Sequence, residues 1–217
     1  MSDAPHTLDV RADTEWEIES EEGSLWTGSR ILIGIVAMAW IGVAFSYFYL
    51  RSLDGPKLWH PHFVPTPSLL IGTMIMLCVV LRAAVLSYGT VLLRRGLAFE
   101  WFMAGWLAVL GGLIATGLQV WALTRTGFYP GESGYTSVYI GFGLLDVGFL
   151  FTGTLWSETV VARSMRLRER MLPHEFFGLS VQPEVRLLRS SLRGCGLYSW
   201  FMAAVLVFFW FLFYILR

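Results

Sequence analysis

The stretch that decides the fold extends from Gly117 to Arg163 and contains two long apolar runs separated by a polar turn. Its sequence is GLQVWALTRTGFYPGESGYTSVYIGFGLLDVGFLFTGTLWSETVVAR. The turn, Thr124–Tyr135, contains Pro130-Gly131 and Gly134, which are strong breakers of regular structure. The second run carries a carboxylate, Asp146, where hydrocarbon contact is expected. This pattern predicts two membrane-spanning helices that cross in opposite directions.

The composition extends this prediction to nearly the whole chain. Of the 217 residues, 55% are hydrophobic and only 15% are charged, whereas a soluble domain has about 25% charged residues. Five apolar runs approach or exceed the roughly 20 residues that cross a bilayer core. They lie near Ile31–Tyr49, Ser68–Leu92, Trp101–Leu123, Val138–Ala162 and Gly194–Leu216. Because backbone groups in lipid must pair within their own segment, the predicted fold class is an all-α integral membrane protein with five transmembrane helices.

The chain divides into an acidic segment, residues 1–29, and a transmembrane domain, residues 30–217. The acidic segment contains eight carboxylates and has little apolar surface to bury, so we expect it to be disordered. Arginines are concentrated after the second and fourth runs, where they include Arg94, Arg95, Arg163 and Arg186. The positive-inside rule therefore predicts a cytoplasmic N-terminus and an external C-terminus.

Two charged residues inside the predicted spans form the main candidate site. Arg82 lies near the middle of the second span, where a cation costs about 2.5–3.5 kcal/mol on insertion scales. Counting along the helices places Asp146 roughly 9 Å from it in depth, at 1.5 Å per residue. Two interpretations stay open: a pair that serves only assembly, or an ion or proton path or contact with another subunit. Gln119 near the outer surface and Glu158 near the cytoplasmic arginines are weaker candidates.

The predicted spans contain no residues typical of a metal or catalytic centre. The four histidines, His6, His60, His62 and His174, all lie outside them, whereas a membrane haem or copper centre usually takes histidine ligands at depth. We identify no phosphate-binding loop, CxxC pair or nucleophile–base arrangement, and no nucleic-acid-binding motif. The sequence therefore predicts no catalytic, cofactor-binding or metal-binding residue in this chain.

Small residues at helical intervals predict close contacts between helices. Three sets occur, in the first, third and fourth spans: Gly34, Gly42 and Ser46; Ala104, Ala108 and Gly112; Gly141, Gly148 and Thr152. Before the fifth span, Arg186, Arg189 and Arg193 share one helical face. This face fits anionic lipid, the acidic surface of a partner, or ordinary stop-transfer charge.

From residue 30 onward the chain resembles subunit III of the haem–copper terminal oxidases, the cytochrome c and quinol oxidases, in its five-helix bacterial form. The first span ends in an aromatic run, Phe45–Arg51, before a Pro-rich loop, and the third ends in Leu118-Gln119. The outer loop Gly127–Ser137 has the family's length and its Gly-aromatic-x-Ser turn. The fourth span keeps Gly153 and ends in basic residues, and an aromatic fifth helix follows.

The family's polar signature residues are mostly replaced in this chain. The family has a Glu in the first of these helices, a second Glu after the Gln, two histidines in the fourth helix and a Trp-His-Phe-x-Asp pattern in the last. Counting places Ala37 or Met38, Ala122, Asp146 and Phe149, and Trp200-Phe201 with Ala203 at these positions. Any role of those residues in proton uptake does not transfer to this chain.

The resemblance implies an accessory, non-redox subunit of a respiratory oxidase, acting in aerobic electron transport in the bacterial inner membrane. Such a subunit packs against the catalytic subunit, which carries the haem and copper, and binds membrane lipids. Three alternatives remain: a subunit of the related nitric oxide reductase, an assembly or scaffold factor, or a small transporter that uses Arg82 and Asp146.

Overall fold

The computed structural model of the protein contains five long helices among the residues that it describes. It describes residues 4–59, 61, 64–167 and 183–216. The helices are α1 (Ala4–Trp59), α2 (Leu69–Arg94), α3 (Ala98–Thr124), α4 (Gly134–Arg166) and α5 (Pro183–Trp210). A π-helix, Phe211–Ile215, continues α5. No strand is present among the residues that the structure describes.

Each helix contains a segment that is long and apolar enough to cross a membrane. These segments are Glu19–Leu53, Leu69–Arg94, Ala98–Thr124, Gly134–Arg166 and Glu184–Ile215. Every span predicted from the sequence falls on one of them to within one residue. The all-helical fold and its five apolar helices are therefore confirmed.

The polar turn before α4 is ordered by its own side chains. The Ser133 hydroxyl accepts a hydrogen bond from the Thr136 N–H at 3.2 Å, and the Thr136 hydroxyl accepts one from the Ser133 N–H at 3.0 Å. This reciprocal pairing satisfies two of the amides that a helix start leaves without partners. Gly131 has φ +95°, a conformation that residues with a side chain rarely adopt. The turn predicted from Pro130-Gly131 and Gly134 therefore ends where α4 begins.

Helix α3 packs closely on α2 and α4 through small residues, which include those that the sequence indicated and also Gly105. Ala108 and Ala115 are fully buried. A Cβ atom at Gly105 would lie 2.6 Å from Val161 of α4, and one at Gly112 would meet the hydroxyl of Thr154. The predicted small-residue face of the third span is therefore confirmed as a helix–helix contact.

The small residues of α1 and α4 behave differently, because they face outward. A Cβ atom added at Gly34, Gly42, Gly141 or Gly148 would meet nothing within 4 Å. Thr152 is likewise exposed on α4. These two faces therefore make no close helix contact within the described chain, contrary to the expectation for a single bundle.

Helix α1 continues well beyond its apolar segment, into the acidic residues. From Ala4 onward this segment is helical, which differs from the expected disorder. Glu22 accepts a hydrogen bond from Nε of Arg186 at 3.0 Å and lies 3.6 Å from Arg189, while Glu19 lies 4.0 Å from Arg186. Cations from α5 therefore serve as ion-pair partners of the acidic segment. The acidic surface that the arginines contact therefore belongs to this chain.

The end of α5 is widened into a π-helix whose carbonyls receive bonds from tyrosines. The hydroxyl of Tyr47 on α1 donates to the carbonyl of Leu212 at 2.9 Å, and that of Tyr135 on α4 donates to the carbonyl of Phe213 at 3.1 Å. The carbonyls in the last turn of a helix have no amide partner within the helix and are available for such bonds. The two tyrosines thereby fasten the end of α5 to α1 and α4.

Candidate functional site

The guanidinium of Arg82 is buried against α4 and bonds to neutral groups. Its Nη2 donates to the carbonyl of Gly153 at 2.5 Å and to the hydroxyl of Ser157 at 2.8 Å. Gly112 lies on the other side, where a Cβ atom would be 3.2 Å from Nε. A slot of small residues on α3 and α4 therefore holds the cation, with carbonyl and hydroxyl dipoles as its partners.

Arg82 and Asp146 do not form the direct pair considered from the sequence. Among the described residues no ion pair joins them within 4.0 Å, and both carboxylate oxygens of Asp146 lack a hydrogen-bond partner. The reason is depth: Gly153 follows Asp146 by seven residues, about 10 Å of helix at 1.5 Å per residue. The depth offset counted from the sequence is therefore not bridged by the arginine side chain, which bonds to Gly153 and Ser157 instead.

Gly153 makes room for Tyr198 beside the arginine. A Cβ atom there would lie 2.6 Å from Cε1 of Tyr198 and 3.5 Å from Nη2 of Arg82. Tyr198 in turn donates its hydroxyl to the carbonyl of Phe149 at 2.9 Å. The sequence marked Gly153 only as part of a resemblance; its physical role is to let the Tyr198 ring of α5 approach the backbone of α4, while its carbonyl accepts a bond from Arg82.

Asp146 lies beside a small cavity between four helices. The residue is 1% exposed, and the cavity has a volume of about 20 Å³, enough for a single water molecule. Gln119 from α3, Tyr139 from α4 and Tyr214 from the π-helix also line it. The hydroxyls of Tyr139 and Tyr214 are 3.1 Å apart.

Two glycines make room for this polar lining. A Cβ atom at Gly72 of α2 would overlap the ring of Tyr214, and one at Gly143 of α4 would lie 3.2 Å from Nε2 of Gln119. The sequence could have indicated Tyr139, because it precedes Asp146 by seven residues and so shares its helix face. It could not have indicated Tyr214, which reaches the cavity only through the packing of α5.

Glu158, the fourth polar candidate, does not belong to this cluster. Its side chain is exposed on α4, and no ion pair within 4.0 Å joins it to Arg163 in the described part of the chain. The structure therefore brings Asp146 and Gln119 together at one cavity, places Arg82 about two turns away along α4, and leaves Glu158 on the surface.

The described residues contain no group of three or more His, Cys, Asp or Glu side chains that can hold a metal ion. His60, His62 and His174 lie outside the described residues. What the cavity offers is one carboxyl, one amide and two phenol groups around space for one water. Such a set can bind water and give or take a proton.

A scan against models of protein families finds no match for this chain, and a search of curated protein sequences finds none either. The class of the protein is therefore defined by its structure, as a bundle of five apolar helices with a buried polar cluster.

Proposed function

We propose that this protein is an accessory, non-redox subunit of a haem–copper respiratory oxidase, comparable to subunit III, in a bacterial inner membrane. The observation that carries the proposal is the pair of outward faces on α1 and α4, which have glycines and large apolar side chains but no close helix partner among the residues that the structure describes. The sequence resemblance to subunit III supplies the kind of complex.

The outward face of α4 is continuous along the helix. It consists of exposed residues three or four positions apart: Gly141, Leu144, Leu145, Gly148, Phe151, Thr152 and Leu155. On α1, Gly34 and Gly42 alternate with exposed Met38, Ile41 and Phe45 in the same manner. Small residues let the backbones of neighbouring transmembrane helices approach closely. We infer that helices of a larger subunit occupy these faces.

The charges support a membrane orientation with the acidic end of α1 in the cytoplasm. Arg94 at the end of α2 and Arg189 and Arg193 at the start of α5 line a common groove of about 440 Å³ with Trp26. The arginines of the second and fourth connections therefore collect at one end of the bundle. By the positive-inside rule this end is cytoplasmic, and the C-terminus is external.

In this proposal the haem and copper belong to the catalytic partner, and the present chain stabilises that partner and contacts lipids. The test is purification of the tagged full-length chain from its native membrane in a mild detergent. We expect a haem-bearing complex, identified by its visible absorption spectrum and by mass spectrometry of its subunits. Recovery without any haem protein would contradict the proposal.

Substitutions of the outward glycines test where the partner helix packs on this chain. Leucine at Gly42 or Gly148 fills open space, so the isolated chain should fold, but the partner helix should be displaced and the haem recovered with the tag should fall strongly. Leucine at Gly117 is the matched control, since this position on α3 is also open. If deletion of the gene lowers the amount of oxidase but leaves activity per assembled complex unchanged, the protein is an assembly factor instead.

A further inference from the structure

We propose that Asp146 and the adjoining cavity form a proton-binding site, in which the carboxyl exchanges its proton through one water molecule with the external side of the membrane. This inference goes beyond the accessory role proposed above. It concerns a group that packing alone does not explain, since an asparagine or leucine would fill the same space on α4.

The carboxyl of Asp146 is isolated from hydrogen-bond donors of the described chain. Both of its oxygens are buried and have no hydrogen-bond partner among the described residues. A buried carboxylate without donors or a counter-charge is strongly disfavoured, whereas the acid form is tolerated. The acid still carries one O–H group that requires an acceptor. The cavity beside it has room for a water molecule that accepts this bond.

The polar groups closest to the Asp146 carboxyl are phenols and one amide. The titratable side chains are phenols: Tyr139 on α4, Tyr198 on α5 and Tyr214 on the π-helix. Helix α3 contributes the neutral amide of Gln119 to the cavity. None of these groups is a permanent charge.

The two remaining helices complete the surroundings. Helix α1 faces this level of α4 with Trp40, whose ring centroid lies 5.4 Å from Phe142 and 5.5 Å from Phe149. Helix α2 contributes the cation of Arg82, which is held by Gly153 and Ser157 two helical turns away. In the described chain, no cation within ion-pair distance therefore stabilises the ionised form of Asp146 against protonation.

The position of the cavity gives the proton exchange its direction. The cavity extends from Asp146 to Gly72, in the first turn of α2, and to Tyr214, in the π-helix at the end of α5. Both lie toward the end of the bundle opposite the arginine-rich end. In the other direction the guanidinium of Arg82 repels a hydronium ion. Proton exchange is therefore one-sided.

The proton transfer from Asp146 balances in atoms and in charge. The O–H bond of the carboxylic acid breaks, its proton forms a bond to the oxygen of the cavity water, and the resulting hydronium ion passes the proton to bulk water. The carboxylate that remains faces the Gln119 amide and the phenol hydroxyls of the cavity, and the reverse transfer restores the acid. No oxidant or second substrate is required.

The test is infrared difference spectroscopy of the full-length protein in lipid nanodiscs. We expect the C=O stretch of a protonated carboxyl that persists at neutral pH, is lost at alkaline pH, and moves to lower frequency in D2O. The band should be absent in Asp146→Asn and unchanged in Glu158→Gln, the exposed carboxylate on the same helix. Carbon-13 labelling of aspartate in the unmodified protein should shift the band, which assigns it to an aspartate even if the variant fails to fold.

Each other outcome overturns the proposal. A band insensitive to aspartate labelling or to Asp146→Asn belongs to another group. If the band does not move in D2O, the carboxyl does not exchange its proton with water. A band that disappears when sodium replaces choline at constant pH and ionic strength shows a cation site instead of a proton site.

Discussion

At the scale of single residues, Arg82 and Asp146 differ in how their buried polar groups are accommodated. Arg82 has a carbonyl and a hydroxyl of α4 within hydrogen-bond distance, whereas Asp146 has a cavity. The hydroxyl of Ser157 also donates to the carbonyl of Gly153 at 2.9 Å, so both acceptors of Arg82 keep a bond without it. The two residues are thus independent features of the bundle.

This independence predicts additive effects on stability. Groups that are far apart and share no partner add within about 0.3–0.5 kcal/mol, so the coupling between Arg82→Met and Asp146→Asn should fall within that range. The measurement is a double-mutant cycle on unfolding in detergent. A coupling energy well above it, as a buried ion pair would give, contradicts the geometry and restores the structural pair.

Gly153 predicts a second residue-scale effect. Gly153→Ala places a Cβ atom 2.6 Å from the ring of Tyr198, and overpacking of this kind costs about 1–3 kcal/mol. We therefore expect a lower unfolding temperature in detergent. Gly148→Ala is the matched control on the same helix, with open space around it. There alanine should be neutral or stabilising by up to about 1 kcal/mol. Equal effects at both positions would refute this explanation.

At the scale of elements, the helices α2, α3 and α4 were predictable because crossing lipid imposes a length and a composition on each segment. The depth offset between Arg82 and Asp146 followed from counting, since helical rise is constant. The outward direction of Gly34 and Gly148 was not predictable, because periodicity places residues on a face without showing what the face contacts. The ion pairs of the acidic segment were not predictable either, because Glu22 contacts Arg186 and Arg189, more than 160 residues away in sequence.

The contact between α1 and α5 gives a prediction for this segment. The ion pairs of Glu22 with Arg186 and Arg189 are partly exposed, so each contributes at most about 1 kcal/mol and is weakened by salt. Glu22→Gln should therefore increase amide hydrogen exchange in residues 16–30, and 1 M salt should do the same in the unmodified protein. Glu21→Gln is the control, because Glu21 is exposed beside it. Unchanged exchange in Glu22→Gln would show that the helix is stable without α5.

At the scale of the whole molecule, the distribution of apolar and polar side chains is the reverse of that in a soluble protein. Large apolar side chains such as Ile35, Leu107 and Leu144 are exposed, while the polar groups of Arg82 and Asp146 are enclosed. An exposed apolar surface of this extent requires lipid or other helices around it. In the proposed orientation, the end of the bundle that carries the arginines faces the cytoplasm.

The orientation predicts opposite labelling at the two ends of the bundle. In a variant without the native cysteines Cys78 and Cys195, a single cysteine replaces either Arg95 in the α2–α3 turn or Glu132 in the α3–α4 turn, both exposed. A membrane-impermeant maleimide added to intact spheroplasts should label Glu132→Cys, while Arg95→Cys should react only after the membrane is opened. The cysteine-free parent controls for background. Labelling of Arg95→Cys in intact spheroplasts would invert the orientation and direct the proton exchange of Asp146 toward the cytoplasm.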